Sequence, residues 1–181
     1  MTPGSVTCRR LRESGKPVTA RMELAQPRGC RSCRDGNHEP GYGGDWENSR
    51  DIQGCTGFYD ELNQLVALMF DVDRHAFRVE LRDRMERAER GTLTYGRKGD
   101  VEQVSRADVV LELRHLRRRD VSEQPHNVRL YFTEPMSEDG QLLTLKIAWK
   151  TSDKKGKLKQ NDQIDEAQRR ADEHAQWRAT R

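Results

Sequence analysis

Three strings between residues 109 and 150 decide the fold: VVLELR at 109–114, NVRLYFT at 127–133 and LLTLKIAWK at 142–150. Each alternates with a period of two, which is the period of a β-strand. In the first, Val109, Leu111 and Leu113 face one way while Val110, Glu112 and Arg114 face the other. In the second, Val128, Leu130 and Phe132 alternate with Arg129, Tyr131 and Thr133. The third sets Leu143, Leu145, Ile147 and Trp149 against Leu142, Thr144, Lys146, Ala148 and Lys150. Ser137, Glu138, Asp139 and Gly140 supply turn residues between the last two, so an antiparallel meander is the economical arrangement.

Upstream the period changes to that of a helix. Phe58, Leu62, Leu65, Val66 and Met69 form one apolar stripe and predict a helix over 57–69. After Asp71 and Asp73, which suit a turn and cap, Phe77, Leu81, Met85 and Ala88 repeat the spacing until Gly91, predicting a second helix over 75–90. A short link between two amphipathic helices makes an antiparallel hairpin with its stripe against the sheet. Downstream of the strands, Asn161 or Asp162 caps a third helix, with Ile164, Ala167, Ala171 and Ala175 on a narrow face and Trp177 near its end. A Lys-rich loop at 154–159 joins that helix to the sheet.

Strand parity then has a consequence. If every apolar set turns toward the helices, the opposite face collects Glu112, Arg114, Arg129, Tyr131, Thr144, Lys146 and Lys150. A sheet with one apolar face is ordinary; an opposite face with four cations, one carboxylate and one phenol is less so. Trp149 falls on the core side and packs there.

Residues 1–55 are rich in Gly, Pro, Arg, Ser and Asn and sustain no period, which predicts an irregular extension before a domain at 56–178. All four cysteines (Cys8, Cys30, Cys33, Cys55) lie in this part. In a reducing cytosol they are expected as thiols or metal ligands rather than disulfides. Cys30, Cys33, His38 and Cys55 offer a zinc shell, against the simpler reading of an extension with unpaired thiols.

Composition limits what else the chain can be. It has 181 residues, 33% hydrophobic and 35% charged, enough for one ordinary domain and an extra segment. A formal charge of +3 is too weak a bias to imply nucleic acid, but its distribution is uneven. Residues 1–50 hold 9 basic and 6 acidic side chains, 51–109 hold 9 and 12, and 110–181 hold 15 and 12. No apolar run is long enough for a bilayer and no secretory stretch opens the chain, so a cytoplasmic protein without membrane partners is expected.

The order helix, helix, three antiparallel strands, C-terminal helix resembles the RelE/ParE toxin superfamily, and four strings sharpen the likeness toward its phage-derived, HigB-like branch. They are LELR at 111–114, VRLYF at 128–132, LKIAWK at 145–150 and QIDEAQRRADEH at 163–174. The resemblance covers about residues 57–178 and implies an α+β domain in which a helical hairpin and a C-terminal helix accompany a small antiparallel sheet. The strand that usually precedes the hairpin is not evident, unless it lies at 51–55 or 18–24. Nor does the C-terminal helix contain the Tyr that some relatives use in cleavage.

The resemblance further implies the toxin of a toxin–antitoxin module: a ribosome-dependent endoribonuclease that cuts mRNA by turning the ribose 2′-hydroxyl on the adjacent phosphodiester. Its partners would be an antitoxin of helix-turn-helix type, mRNA and the ribosome. Such a reaction needs a base, fixed cations for the dianionic phosphorane and an acid for the leaving oxygen, and no cofactor or metal. Carried onto this chain, Arg129 and Lys150 match the phosphate and transition-state stabilisers, with Arg114 and Lys146 in support and Glu112 as base or as a brace for Arg114. Lys146, Tyr131, Lys154, Lys155, Lys157, Arg117 and Arg118 would contact RNA. The bland alternative for Glu112 and Arg129 is an ordinary cross-strand ion pair. His115 and His126 border the first two strands as surface residues. Two other functions stand beside the nuclease: the same fold gripping RNA or a protein without cutting, and a zinc-knuckle nucleic-acid-binding regulator.

Overall fold

A computed structural model describes residues 20–23, 30–34, 42–119, 125–138, 140–150 and 154–181, with the side chains of 115–119, 125, 126, 154 and 155 outside that description. The elements are β1 (Asp45–Asn48), α1 (Phe58–Ala67), α2 (Asp71–Glu89), β2 (Val101–Gln103), β3 (Leu111–Arg119), β4 (Pro125–Thr133), β5 (Gln141–Lys150) and α3 (Lys154–Ala179). The chain is mixed α+β, as expected, and its sheet has five strands in the order β1-β5-β4-β3-β2. The meander β3, β4, β5 is antiparallel throughout.

Two strands extend that meander at its edges. β2 pairs antiparallel with β3. β1 pairs parallel with β5 from Asp45 opposite Gln141 to Asn48 opposite Thr144, so it falls inside the stretch expected to be irregular and misses both 18–24 and 51–55. Its sequence, DWEN, has almost no strand propensity. Trp46 anchors it, with its ring edge-on to Phe132 and its indole N–H donating to Met85 O at 2.9 Å.

The sheet is covered on both sides, which overturns the expected open face. On one side Phe58, Leu65 and Val66 of α1 and Phe77, Leu81 and Ala88 of α2 pack on Leu111, Leu113, Val128, Leu130, Phe132 and Ile147. On the other, Ile164, Ala167 and Ala171 of α3 pack on Tyr131, Leu143 and Leu145, with Val109 and Val110 beside them. α3 is long and uses small side chains, so it lies close against the strands.

Irregularities in the ladders explain where parity fails. Tyr131 pairs with Lys146 but Phe132 pairs with Thr144, leaving Leu145 as an extra residue in β5. Such a bulge changes which face the following side chains take. Leu143 and Leu145 therefore turn to α3, whereas Leu142, Ile147 and Trp149 turn to the α1 and α2 side. Val109, expected with Leu111, precedes the regular strand and joins the α3 side.

The helices also differ in extent. α2 starts at Asp71, and Asp71 and Asp73 occupy its first turn, where carboxylates favour the positive end of the helix dipole. The Lys-rich stretch at 154–159 is the beginning of α3 rather than a loop. Lys, Leu and Gln are good helix formers, and Asn161 and Asp162 sit inside the helix instead of capping it.

Candidate nucleic-acid interface

The surviving polar cluster lies where β3, β4 and β5 meet the first turns of α3. Glu112 stands opposite Tyr131, and Arg129 opposite Ala148, while Lys150 is opposite Asn127. Arg129 and Lys150 are thus diagonal neighbours on one face of adjacent strands. In β3, Leu113 pairs with Leu130 and Leu116 with Val128, so two residues, 114 and 115, oppose Arg129 alone. That bulge brings the Arg114 charge close enough to Lys150 to be felt there.

Each cation has its own setting. Arg129 Nε is 2.8 Å from Glu112 Oε1, with both side chains almost buried at 12% and 9% exposure. The Nε–H is not aimed along that line and finds no acceptor among the described residues. Gln160 of α3 donates to the other carboxylate oxygen, Oε2, at 2.7 Å. Glu112 therefore braces Arg129, not Arg114, and the cross-strand ion pair named above as the bland alternative is present. Arg114 is instead held by Glu102 of β2 at 2.8 Å.

Lys150 differs from both arginines. No carboxylate lies at ion-pair distance from its ammonium among the described residues. Burial pushes its pKa below the usual lysine range; Glu112 pulls it back up, while Arg129, Arg114 and Lys157 press it further down. Arg114, Arg129, Lys150 and Lys157 outnumber Glu102 and Glu112 here, so the surface favours an anion and makes the Lys150 proton easier to lose.

Compared with protein-family models, curated proteins and solved structures, the chain matches none.

The structure places the remaining expected residues as follows. The β5 bulge turns Thr144 to the opposite face with Phe132, whereas Lys146, opposite Tyr131, keeps the face of Ala148 and Lys150 and is drawn out of the cluster by Glu61. Thr144 is buried and donates to Asn48 Oδ1 at 2.7 Å. Lys146 binds Glu61 of α1 at 2.7 Å, in an ion cluster that also takes Arg170 of α3 at 2.5 Å. It lines a separate cleft of about 480 Å³ between α1, β5 and α3, with Leu65, Leu68, Ile147 and Trp149. Tyr131 shares the cluster's face but is fully buried beneath α3. Burial, with Glu112 beside it, raises its phenol above the ordinary range, so it neither stacks on a base nor yields a proton. Lys157 is exposed on α3. Arg117 and Arg118 lie on β3 and Lys154 and Lys155 begin α3, with side chains outside the described residues, as are those of His115 and His126.

The zinc shell is not formed. Cys30 and Cys33 are joined in a disulfide, and Cys55 is disulfide-bonded too, so these sulfurs are neither thiols nor metal ligands. His38 lies outside the described residues. Among the described residues no group of three or more His, Cys, Asp or Glu is placed to hold a metal ion. No helix among them is long and apolar enough to cross a membrane.

Sequence reading missed Gln160, Gln163 and Glu102. Gln163 donates to Trp149 O at 2.9 Å and so fastens α3 to β5 beside Lys150. The two glutamines are three residues apart on one helix face, a signal hidden while α3 was expected to start near residue 161.

Proposed function

We propose that the chain is the toxin of a toxin–antitoxin pair and acts in the cytoplasm as a metal-independent mRNA endoribonuclease in association with the ribosome. The observation that carries this reading is the placement of Lys150 and Arg129 as diagonal neighbours on one strand face, with the charges of Arg114 and Lys157 acting on the same ammonium. RNA phosphate is the anion that fits such a surface. In the reaction the 2′-oxygen attacks phosphorus and the bond from phosphorus to the 5′-oxygen breaks. Arg129 and Lys150 offset the charge of the phosphorane, a role for which fixed donors in a poorly solvated site are effective. Glu112 Oε2, once Gln160 releases it, accepts the 2′ proton, and the acidified Lys150 ammonium supplies one to the 5′-oxygen.

A second reading is favoured by the near-complete burial of Glu112 and Arg129. In it the cluster holds the sheet together under α3, and the domain grips RNA or a protein partner through Lys150 and Lys157 without cutting. Controlled expression of the full chain separates the two. Growth arrest with new 5′ ends in mRNA, both lost in Arg129→Ala with Lys150→Ala, is the expected outcome. Arrest without new ends favours the binding reading, and neither effect with the wild type overturns both.

A further inference from the structure

The turn at residues 96–99, GRKG, is built more rigidly than a surface connection requires. Gly99 N donates to Gly96 O at 2.8 Å, which closes a turn with Arg97 and Lys98 at its two corners, both exposed. Gly96 N donates to Val101 O at 2.8 Å and Val101 N to Thr94 O at 3.0 Å, fixing the base of the turn. Gly96 has φ of 106°, a conformation that side-chain-bearing residues rarely adopt.

Two charged groups lock this turn from below. Asp100 bonds Arg84 at 2.6 Å and Arg87 at 2.9 Å and accepts from the Thr94 amide and hydroxyl at 3.1 and 3.0 Å. Burial opposes ionisation of Asp100, but those donors outweigh it and hold its pKa down to about 2. On the sheet side, Arg114 Nη2 donates to Gly96 O at 2.7 Å, to Arg97 O at 2.8 Å and, at longer range, to Gly99 O. Arg114 is only 14% exposed, and its charge also reaches Lys150. One guanidinium therefore ties the turn to the cationic face.

The turn sits at the β2 edge of the sheet, held by Arg114 of β3 and, through Asp100, by Arg84 and Arg87 of α2. From β5 to the Arg114 strand is two strand spacings, roughly 10 Å, and the turn lies beyond it, past the reach of one phosphate. We propose that residues 96–99 form a second phosphate-contacting element, in which Arg97 and Lys98 grip the RNA backbone away from the Lys150 surface and set the direction in which the strand crosses the sheet. The inference rests on the RNA reading above and names a contact that reading does not include. Because the turn is already ordered, binding loses little loop entropy.

The test is fluorescence anisotropy of a fluorescein-labelled, single-stranded 2′-O-methyl oligoribonucleotide, which binds but cannot be cut by the 2′-hydroxyl route, titrated with the full chain across a series of salt concentrations. Arg97→Ser with Lys98→Ser is expected to weaken binding about tenfold and to flatten the slope of log affinity against log salt by about 1.4. Arg78→Ser with Arg82→Ser removes the same charge from exposed positions on α2, which packs across the sheet from Lys150, and is expected to change neither. Unchanged affinity and slope in the 97/98 variant, or an equal loss in the α2 variant, overturns the inference alone. A wild type that does not bind the RNA overturns the RNA reading with it.

Discussion

Lys150 carries a charge that the folded chain disfavours. A lysine whose ammonium is disfavoured in the folded chain binds its proton more weakly there than in the unfolded chain, where the ordinary value is 10.5. The penalty is at full strength below the folded pKa and disappears as pH rises from that value through 10.5, so stability climbs with pH in that window. Lys150→Met removes the charge and keeps the stem. Its melting temperature is expected to rise at neutral pH, with an advantage that shrinks toward pH 10.5, while the proposed RNA cleavage is lost. Calorimetry across that range checks the sign, and a lower melting temperature at neutral pH would show that the ammonium is a structural partner instead. The grouping of Glu112, Arg129 and Lys150 was legible in the sequence because all three keep simple strand parity on their own strands. Thr144 was not, since one extra residue in β5 turned it to the other face, and no local feature of LLTLKIAWK announces a bulge; Lys146 keeps its parity but is claimed by Glu61, a partner distant in sequence.

At the scale of elements, the strands buried on both faces were misread for a physical reason. A central strand covered on two sides is apolar on both, and Leu142, Leu143, Leu145 and Ile147 fit that description better than simple alternation. Recognising it requires knowing that α3 covers the sheet, and α3 hides its contact surface behind alanines, whose small apolar area gives a weak signal. β1 was illegible for a related reason. Its four residues become a strand only because β5 offers them an edge and Trp46 a pocket, neither of which is local information. The chain reaches β1 by passing hard against the end of α2: Gly43 N donates to Glu89 O at 2.6 Å, and a Cβ on Gly43 would meet Ala88 O at 1.9 Å. Since the obstacle is helix backbone, it cannot swing aside. Gly43→Ala is expected to cost about 3 kcal/mol or more in chemical unfolding, whereas a variant of wild-type stability would mean that β1 and α2 separate freely.

For the whole molecule, the part expected as a loose extension proves to be joined to the domain at residues 30–34. Cys30 and Cys33 are buried in the cluster beneath α1 and α2, Leu93 N donates to Ser32 O at 3.1 Å, and Arg34 N donates to Leu93 O at 2.7 Å. The buried Glu134 carboxylate, which follows β4, accepts from Arg31 N at 2.6 Å, Ser32 N at 3.0 Å and Ser32 Oγ at 2.6 Å. The disulfide closes a turn within the segment, whereas the Glu134 carboxylate ties the segment to the domain, and the two differ in strength. A cross-link closing so short a loop contributes about 2 kcal/mol. Removing the carboxylate strands two amide donors and a hydroxyl in a poorly solvated place, about 1–3 kcal/mol for each group that water does not reach. A cytoplasmic site of action would keep the cysteine pair reduced, so the hydrogen bonds must hold the segment there. Cys30→Ala with Cys33→Ala is thus expected to lower stability by about 2 kcal/mol and to leave the proposed RNA cleavage intact, because this pair lies across the sheet from Lys150. Glu134→Ala should cost more than loss of the cysteine pair, and the two together should release residues 30–34 to limited proteolysis. A chelator should change nothing. If it instead lowers the melting temperature while dithiothreitol does not, the sulfurs hold a metal and this account of the segment fails.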